Sequence, residues 1–379
     1  VRLEATVPPA ALAAMRAPFE GAGAVSLDVP VLQPLALLLD LAGEAMRPRL
    51  FVVQSEGGEE TALRPDFTIP IARAHIASGA KAGRYIYEGK AFRAAGPLAA
   101  NGAARAEEFL QLGLEAYGGG DPVAADVEIL VLAWRSALAG GRTDASLVLG
   151  DVSLFAALID DMGLEPGLAA RLKRAFGRPR LLGAELAGEA EAAPAPQSRL
   201  AGLLAGLPEA EAVELLEEVW SLAGVSPVGG RPPLEIARRL AARNGVGAGA
   251  RLDPAHADQV RAFLAIEDAP SAAVSALEAL AGPALSVRLG DWRRRLEMLA
   301  EAGLPVARGR FGAGFGRAFG YYDGPLFEVR SAALGADRPL AAGGRYDGLV
   351  GRLGGQGTGG GGAAGCMVRP ARAYAGGGE

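Results

Sequence analysis

One cysteine, Cys366, and two histidines, His75 and His256, are all that a chain of 379 residues offers. A single thiol excludes an intrachain disulfide framework and any cysteine-cluster metal site. Two imidazoles are too few for a His-rich zinc centre or for a catalytic constellation built on histidine, so no metal or other cofactor is expected. Long apolar runs are also missing. A membrane span needs roughly 20 mostly apolar residues, and the best candidate, 29–42, is interrupted by Pro30, Pro34 and Asp40. The opening residues carry Glu4 and two prolines where a secretory signal needs a basic start and an apolar middle. A cytoplasmic protein is therefore expected. Basic residues are not in excess: 38 Lys and Arg stand against 43 Asp and Glu, for a net charge of −5. No broad basic surface for nucleic acid is implied. Only three of those 38 are lysine, which together with abundant Ala and Gly reads as coding bias.

What is present is globular composition, half of it apolar, in a chain long enough for one large or two ordinary domains. Leu35, Leu38, Leu39, Ala42 and Met46 recur at helical spacing. Residues 50–64 read as a hairpin around Gly57 and Gly58. Strands are expected over 84–93 and 109–117, joined by a long Gly/Ala-rich loop. A helix follows over 123–138 and a short strand over 147–150. Residues 153–300 read as mainly helical, with helices over 231–244 and 254–264 and another that Pro208 starts. Strand character returns over 320–330, 339–342 and 363–368, with a glycine loop over 354–362. Adjacent strands without crossover helices argue for an antiparallel sheet in an α+β fold. The expected core domain is 1–152 plus 301–379, with 153–300 as a helical insertion.

The strand 109–117 carries the most chemical information. Side chains alternate across a sheet, so Leu110, Leu112, Leu114 and Ala116 share a core face. Gln111, Gly113, Glu115 and Tyr117 share the other, where Gly113 leaves a hole. That second face reads equally as a pocket floor or as a solvated surface. If 84–93 pairs antiparallel with it, Arg93 approaches the same face, and its planar fork matches a carboxylate or phosphate. The competing fate of Arg93 is an ion pair with Glu107 or Glu108. Asp66 either caps the following helix or faces the pocket to hold an α-amino group. Tyr321 and Tyr322, read as strand residues, point to opposite faces, so at most one lines a cavity. The Gly343-Gly344-Arg345-Tyr346-Asp347-Gly348 stretch permits close backbone approach or forms a plain turn. His75 reads as a helix-surface or packing residue, and Cys366 as a small buried residue of its strand.

Segments 63–73, 85–93, 108–118, 317–328, 343–350 and, loosely, 363–372 resemble, in this order, the class II histidyl-tRNA synthetase family. The resemblance implies a class II synthetase-like antiparallel sheet flanked by helices. It also implies a histidine pocket of Asp66, Thr68, Arg93, Gln111, Glu115, Arg317 and Tyr322. Asp66, Thr68 and Gln111 would hold the α-amino end, Arg93 and Arg317 the carboxylate side, and Glu115 and Tyr322 the imidazole. Tyr322 is thereby favoured over Tyr321. The departures fall on the nucleotide half. Ala95 stands where the family has an adenine-binding Glu, and Glu107 where a phosphate-binding Arg is usual. Gly320 replaces an Asp, and Pro370 alters the last motif while Arg372 persists. The chain also ends seven residues after Arg372, which implies that an anticodon-binding domain is absent. This combination resembles the regulatory-subunit paralogues of ATP phosphoribosyltransferase. The resemblance implies a noncatalytic partner of a short-form catalytic subunit, in a hetero-octamer of four regulatory and four catalytic chains inhibited by L-histidine. It further implies self-association and no partnership with nucleic acid or membrane. The alternative is a truncated histidine-activating, synthetase-like ligase, in which Arg93, Arg317 and Arg372 would stabilise charge on an α-phosphate.

Overall fold

A computed structural model of the chain describes residues 4–54, 60–94, 106–188, 203–204, 206–222, 251–316, 320–354 and 362–376. Arg317, Ala95 and the expected helix over 231–244 lie outside these residues, as does most of the glycine loop. In chain order the first elements are α1 (Pro9–Glu20), β1 (Val25–Ser26), β2 (Leu32–Pro34), α2 (Leu35–Ala42), β3 (Val52–Gln54), β4 (Glu60–Leu63) and α3 (Thr68–Ala77). Then come β5 (Gly83–Phe92), β6 (Glu108–Gly118), α4 (Pro122–Leu138), β7 (Ala145–Asp151) and α5 (Val152–Asp161). The helices α6 (Pro166–Ala175), α7 (Pro179–Ala187), α8 (Glu209–Leu222) and α9 (Pro254–Leu264) follow. The chain continues with β8 (Glu267–Asp268), α10 (Pro270–Glu278), α11 (Pro283–Glu301) and β9 (Arg310–Gly312). The last elements are β10 (Pro325–Ser331), β11 (Ala341–Arg345), α12 (Asp347–Arg352), β12 (Gly362–Val368) and α13 (Pro370–Ala373).

The chain divides into two compact units, residues 1–157 with 262–379, and residues 158–261. The first unit holds a nine-stranded sheet in the order β1-β5-β6-β12-β11-β10-β7-β9-β8 and a three-stranded sheet β2-β4-β3. The long central pairings are antiparallel, as expected. Two short contacts, β1 on β5 and β7 on β9, are parallel, so the sheet is mixed. Helices α10 and α11 belong to this unit with the sheet, whereas the sequence places them in the helical block. Their apolar stripes, Ala273, Val274 and Leu277 in one and Leu285, Leu289, Trp292, Leu296 and Leu299 in the other, are buried.

Local chemistry accounts for the elements that frame the centre of the sheet. α4 starts at Pro122, whose missing N–H costs nothing at the first turn, and Asp121 accepts from the Val123 N–H at 3.1 Å to cap it. The helix is apolar on most sides because it lies across β10, β11 and β12 with α1 and α11 beside it. On the opposite face a second core gathers Phe67, Tyr87, Phe109, Tyr117, Tyr321, Tyr346 and Leu349 with the apolar side of α2. Both faces of β6 are therefore covered: Leu112, Leu114, Gln111 and Glu115 are all buried.

The second unit is helical among its described residues. In it Glu165 caps α6 by accepting from the N–H groups of Gly167 and Leu168, and Leu204, Ala212 and Leu216 form a small core. Among the described residues no helix is long and apolar enough to cross a membrane.

Candidate functional site

β5 pairs antiparallel with β6 in a register that sets Tyr87 opposite Gly113 and Gly89 opposite Gln111. Arg93 follows at the end of β5. On the other side β12 sets Gly365 opposite Glu115 and Met367 opposite Gly113. α3 begins at Thr68 beside this floor, and the turn before β10 brings Tyr321 and Tyr322 over it. These elements form a small cavity lined by Asp66, Thr68, Tyr87, Arg93, Gln111, Glu115, Tyr321, Tyr322, Gly365, Cys366 and Met367.

Two carboxyl groups meet here. Glu115 Oε1 accepts from the Thr68 hydroxyl at 2.8 Å, and Oε2 accepts from the Tyr346 hydroxyl. Burial pushes Glu115 up to about 8, with the Tyr346 and Thr68 hydrogen bonds working against the rise. Asp66 Oδ2 accepts from the Tyr321 hydroxyl at 3.2 Å, while Oδ1 has no hydrogen-bond partner. Burial raises Asp66 above the ordinary carboxylate range, and Arg93 and the Tyr321 hydroxyl oppose that shift. Arg93 donates from Nε to the Pro65 carbonyl at 2.8 Å. Burial pushes its guanidinium down to about 10, with Asp66 supporting the charge and Arg369 and Arg49 opposing it. Gln111 is completely buried, and neither its amide nitrogen nor its amide oxygen has a partner. An orphaned buried amide is costly and marks a place where a ligand or a water belongs.

Six of the seven residues singled out from the sequence therefore line one cavity, and Arg317 lies outside the described residues. The polar face of β6 is a pocket floor and not a solvated surface. Asp66 lines the cavity and at the same time stands at the start of α3, where the Thr68 and Ile69 N–H groups favour its charged form, so its two expected fates are not exclusive. Three details differ from the sequence reading. Tyr321 and Tyr322 lie in the turn before β10, so strand alternation does not separate them and both line the cavity. The glycine-rich 343–344 stretch is fully buried strand, continuing into Arg345. The hole above Gly113 is occupied: Tyr87 stacks on Phe67 at 4.5 Å and donates through that space to the Cys366 carbonyl. A Cβ on Gly113 would lie 2.2 Å from that carbonyl oxygen and 2.4 Å from the Tyr87 hydroxyl oxygen. Gly113→Ala is thus expected to cost about 3 kcal/mol by overpacking a paired backbone. Urea unfolding checks it: the midpoint should fall with an unchanged slope, and an unmoved midpoint would refute the strand constraint.

Tyr87 and Tyr346 were not singled out from the sequence. The signal for Tyr87 was available, since alternation along 85–93 places it on the face of Arg93. Tyr346 follows a strand and reaches Glu115 only through the β11–β12 pairing, which no local pattern discloses. Of the two readings of His75 the packing one holds: it is buried and stacked on Tyr117 at 4.3 Å.

Chemically the cavity offers two buried carboxyls, one guanidinium, an orphaned amide and several phenols, which together suit an amino acid with a basic side chain. The Cys366 thiol is pushed above its ordinary value by burial and by Glu115 beside it. The phenols of Tyr87, Tyr321 and Tyr346 are likewise raised by burial. No nucleophile is activated among them.

The histidyl-tRNA synthetase family pattern matches residues 8–229 and 234–368. The chain is 38% identical over 350 residues to the ATP phosphoribosyltransferase regulatory subunit of Brucella canis, covering 90% of each chain. A solved ATP phosphoribosyltransferase regulatory subunit/histidyl-tRNA synthetase from Bacillus halodurans has the same fold, with a TM-score of 0.63 at 21% identity over 98% of this chain and 80% of that one. A histidine–tRNA ligase subunit from Alicyclobacillus acidocaldarius superimposes with a TM-score of 0.55 at 23% identity over 99% and 98%. With a synthetase-like sheet, a polar cavity on its floor and this kinship along most of its length, the chain belongs to the histidyl-tRNA synthetase-like family of ATP phosphoribosyltransferase regulatory subunits.

Proposed function

We propose that this chain is the noncatalytic regulatory subunit of ATP phosphoribosyltransferase, acting in histidine biosynthesis, and that its cavity binds free L-histidine. The observation that carries the ligand is Gln111: a completely buried side chain with both amide atoms unpaired, in the same cavity as an unpaired Asp66 oxygen. An α-ammonium group satisfies acceptors of this kind. Arg93, with Arg317 by resemblance, suits the α-carboxylate, and Glu115 with Tyr322 suits the imidazole. The partner is a short-form catalytic subunit that joins ATP to phosphoribosyl pyrophosphate. Self-association is part of the same reading, supported by the exposed apolar side chains Leu32, Val52 and Val53 on the three-stranded sheet.

Inhibition follows if histidine binds the inactive assembly more tightly than the active one, since only differential affinity shifts an equilibrium. A coupling of ~1–3 kcal/mol gives severalfold to hundredfold inhibition. Reconstitution tests the proposal. The purified chain mixed with the catalytic subunit is expected to co-elute in size exclusion, stimulate phosphoribosyl transfer and confer inhibition by histidine. No complex and no stimulation would end this reading. Histidine-dependent pyrophosphate exchange by the chain alone would favour a ligase instead.

A further inference from the structure

β12 leaves the cavity floor at Val368, whose register partner is Leu112. The next residue, Arg369, stacks on Phe109 with its Cζ 3.8 Å from the ring centroid. Arg93, which lines the cavity, stands over the same ring at 5.2 Å. Arg372 lies one turn further on in α13. Arg369 and Arg372 are 4% and 8% exposed, and the Nε of each has no hydrogen-bond partner. Arg338 is buried beside them, and these guanidiniums act on one another: burial first, then the neighbouring Arg369, Arg338 and Arg93 charges hold Arg372 well below its ordinary value.

Set against Arg369 is a carboxylate from the segment that precedes α1. Glu4 Oε1 accepts from Arg369 Nη2, and Glu4 Oε2 accepts from the Leu110 N–H at 3.1 Å, next to Gln111. Both members of the pair are 5% exposed. Glu4 therefore sits beside the cavity's guanidinium end, on the arginine that shares the Phe109 ring with Arg93, and it fills donors whose fork geometry fits a phosphoryl group as well as a carboxylate. An incoming anion reaches Arg369 only by displacing Glu4, which would strand a buried carboxylate without its partner.

We propose that Glu4 is a specificity determinant, an internal anion that neutralises the arginine cluster beside the cavity and so excludes phosphoryl-bearing ligands, leaving the free amino acid as the occupant. This rests on the amino-acid reading of the cavity given above. The test is calorimetric titration of inorganic diphosphate into the full chain, as wild type, as Glu4→Gln and as Glu4→Gln with Arg369→Met. Glu4→Gln is expected to bind diphosphate ~tenfold or more tighter than wild type, the scale of one charge-assisted hydrogen bond. Adding Arg369→Met is expected to remove the gain. Equal affinity in wild type and Glu4→Gln, or a gain that survives Arg369→Met, overturns the proposal. Thermal unfolding checks each variant; should Glu4→Gln fail to fold, Glu4→Asp, with its shorter reach, must show the same direction of change. L-Histidine titrated into the wild type is read separately: its failure removes the amino-acid reading and leaves the diphosphate comparison standing.

Discussion

Glu115→Ala is expected to weaken L-histidine binding by ~1–3 kcal/mol, severalfold to roughly a hundredfold, the usual penalty for removing a buried polar partner. The carboxyl is held from several directions. Thr68 and Tyr346 donate to its two oxygens, and Gly365 across the strand pair leaves it room, since a Cβ there would lie 1.7 Å from Oε2. Burial keeps it protonated up to about pH 8, whereas free imidazole is neutral above pH ~6.5. Between those values acid and base together hold one proton, which passes to the imidazole as the ion pair forms with no net uptake. Above pH 8 the carboxyl has already lost it, and binding must draw a proton from solution. Wild-type affinity should then fall with pH more steeply than that of Glu115→Gln, by up to ~tenfold per pH unit. The same group acts on stability without ligand. The folded state keeps a proton that the unfolded chain loses near its ordinary value of 4.5, so this contribution declines as pH rises from there to about 8. Calorimetry across pH decides the matter: unchanged affinity in Glu115→Ala would remove Glu115 from the site.

The sheet was legible where the chain keeps a strict two-residue period. Gln111, Glu115 and their apolar neighbours separate cleanly because β6 is long and regular, and Arg93 follows from its antiparallel pairing with β5. The short strands β1 and β2 were not legible. Two or three residues carry no period, and the adjoining Leu35–Met46 spacing reads as helix throughout. Tyr321 and Tyr322 were assigned by a strand rule although they belong to a turn, where side-chain direction follows the loop path. The buried glycines of β11 make the close backbone approach that was one of their two readings, a Cβ on Gly343 falling 2.3 Å from the Gly365 carbonyl oxygen, but they do so within a strand and not in a turn. The character of the cavity was half legible. Residue types identified a polar floor, but the completeness of its burial and the unpaired ends of Gln111 are properties of packing.

Asp126→Ala is expected to cost ~3–5 kcal/mol, the largest stability loss anticipated for a single side chain here. Asp126 projects from α4 into a buried charge cluster in which it, Arg295 and Arg345 are each 8% exposed. Its Oδ2 accepts from Arg295 Nε at 2.9 Å and Nη2 at 2.8 Å, and its Oδ1 accepts from Arg345 Nε at 2.8 Å. Burial opposes the charge of Arg345, yet Asp126 and Asp347 more than offset it and its pKa rises. Without Asp126, Arg345 retains Asp347 at 2.9 Å and the Pro122 carbonyl, whereas Arg295 loses both of these charged hydrogen bonds. Asp126→Asn keeps an acceptor and should fall between alanine and wild type. The loss should also reach the cavity. Arg345 directly precedes Tyr346, and the Tyr346 hydroxyl donates to Glu115, so taking away one of the anchors of the guanidinium loosens the backbone that aims this phenol. Urea unfolding and histidine titration of the folded variant measure the two effects separately. A variant with wild-type stability would mean that water replaces the carboxylate, and lost stability with intact affinity would mean that Tyr346 is fixed by β11–β12 pairing alone.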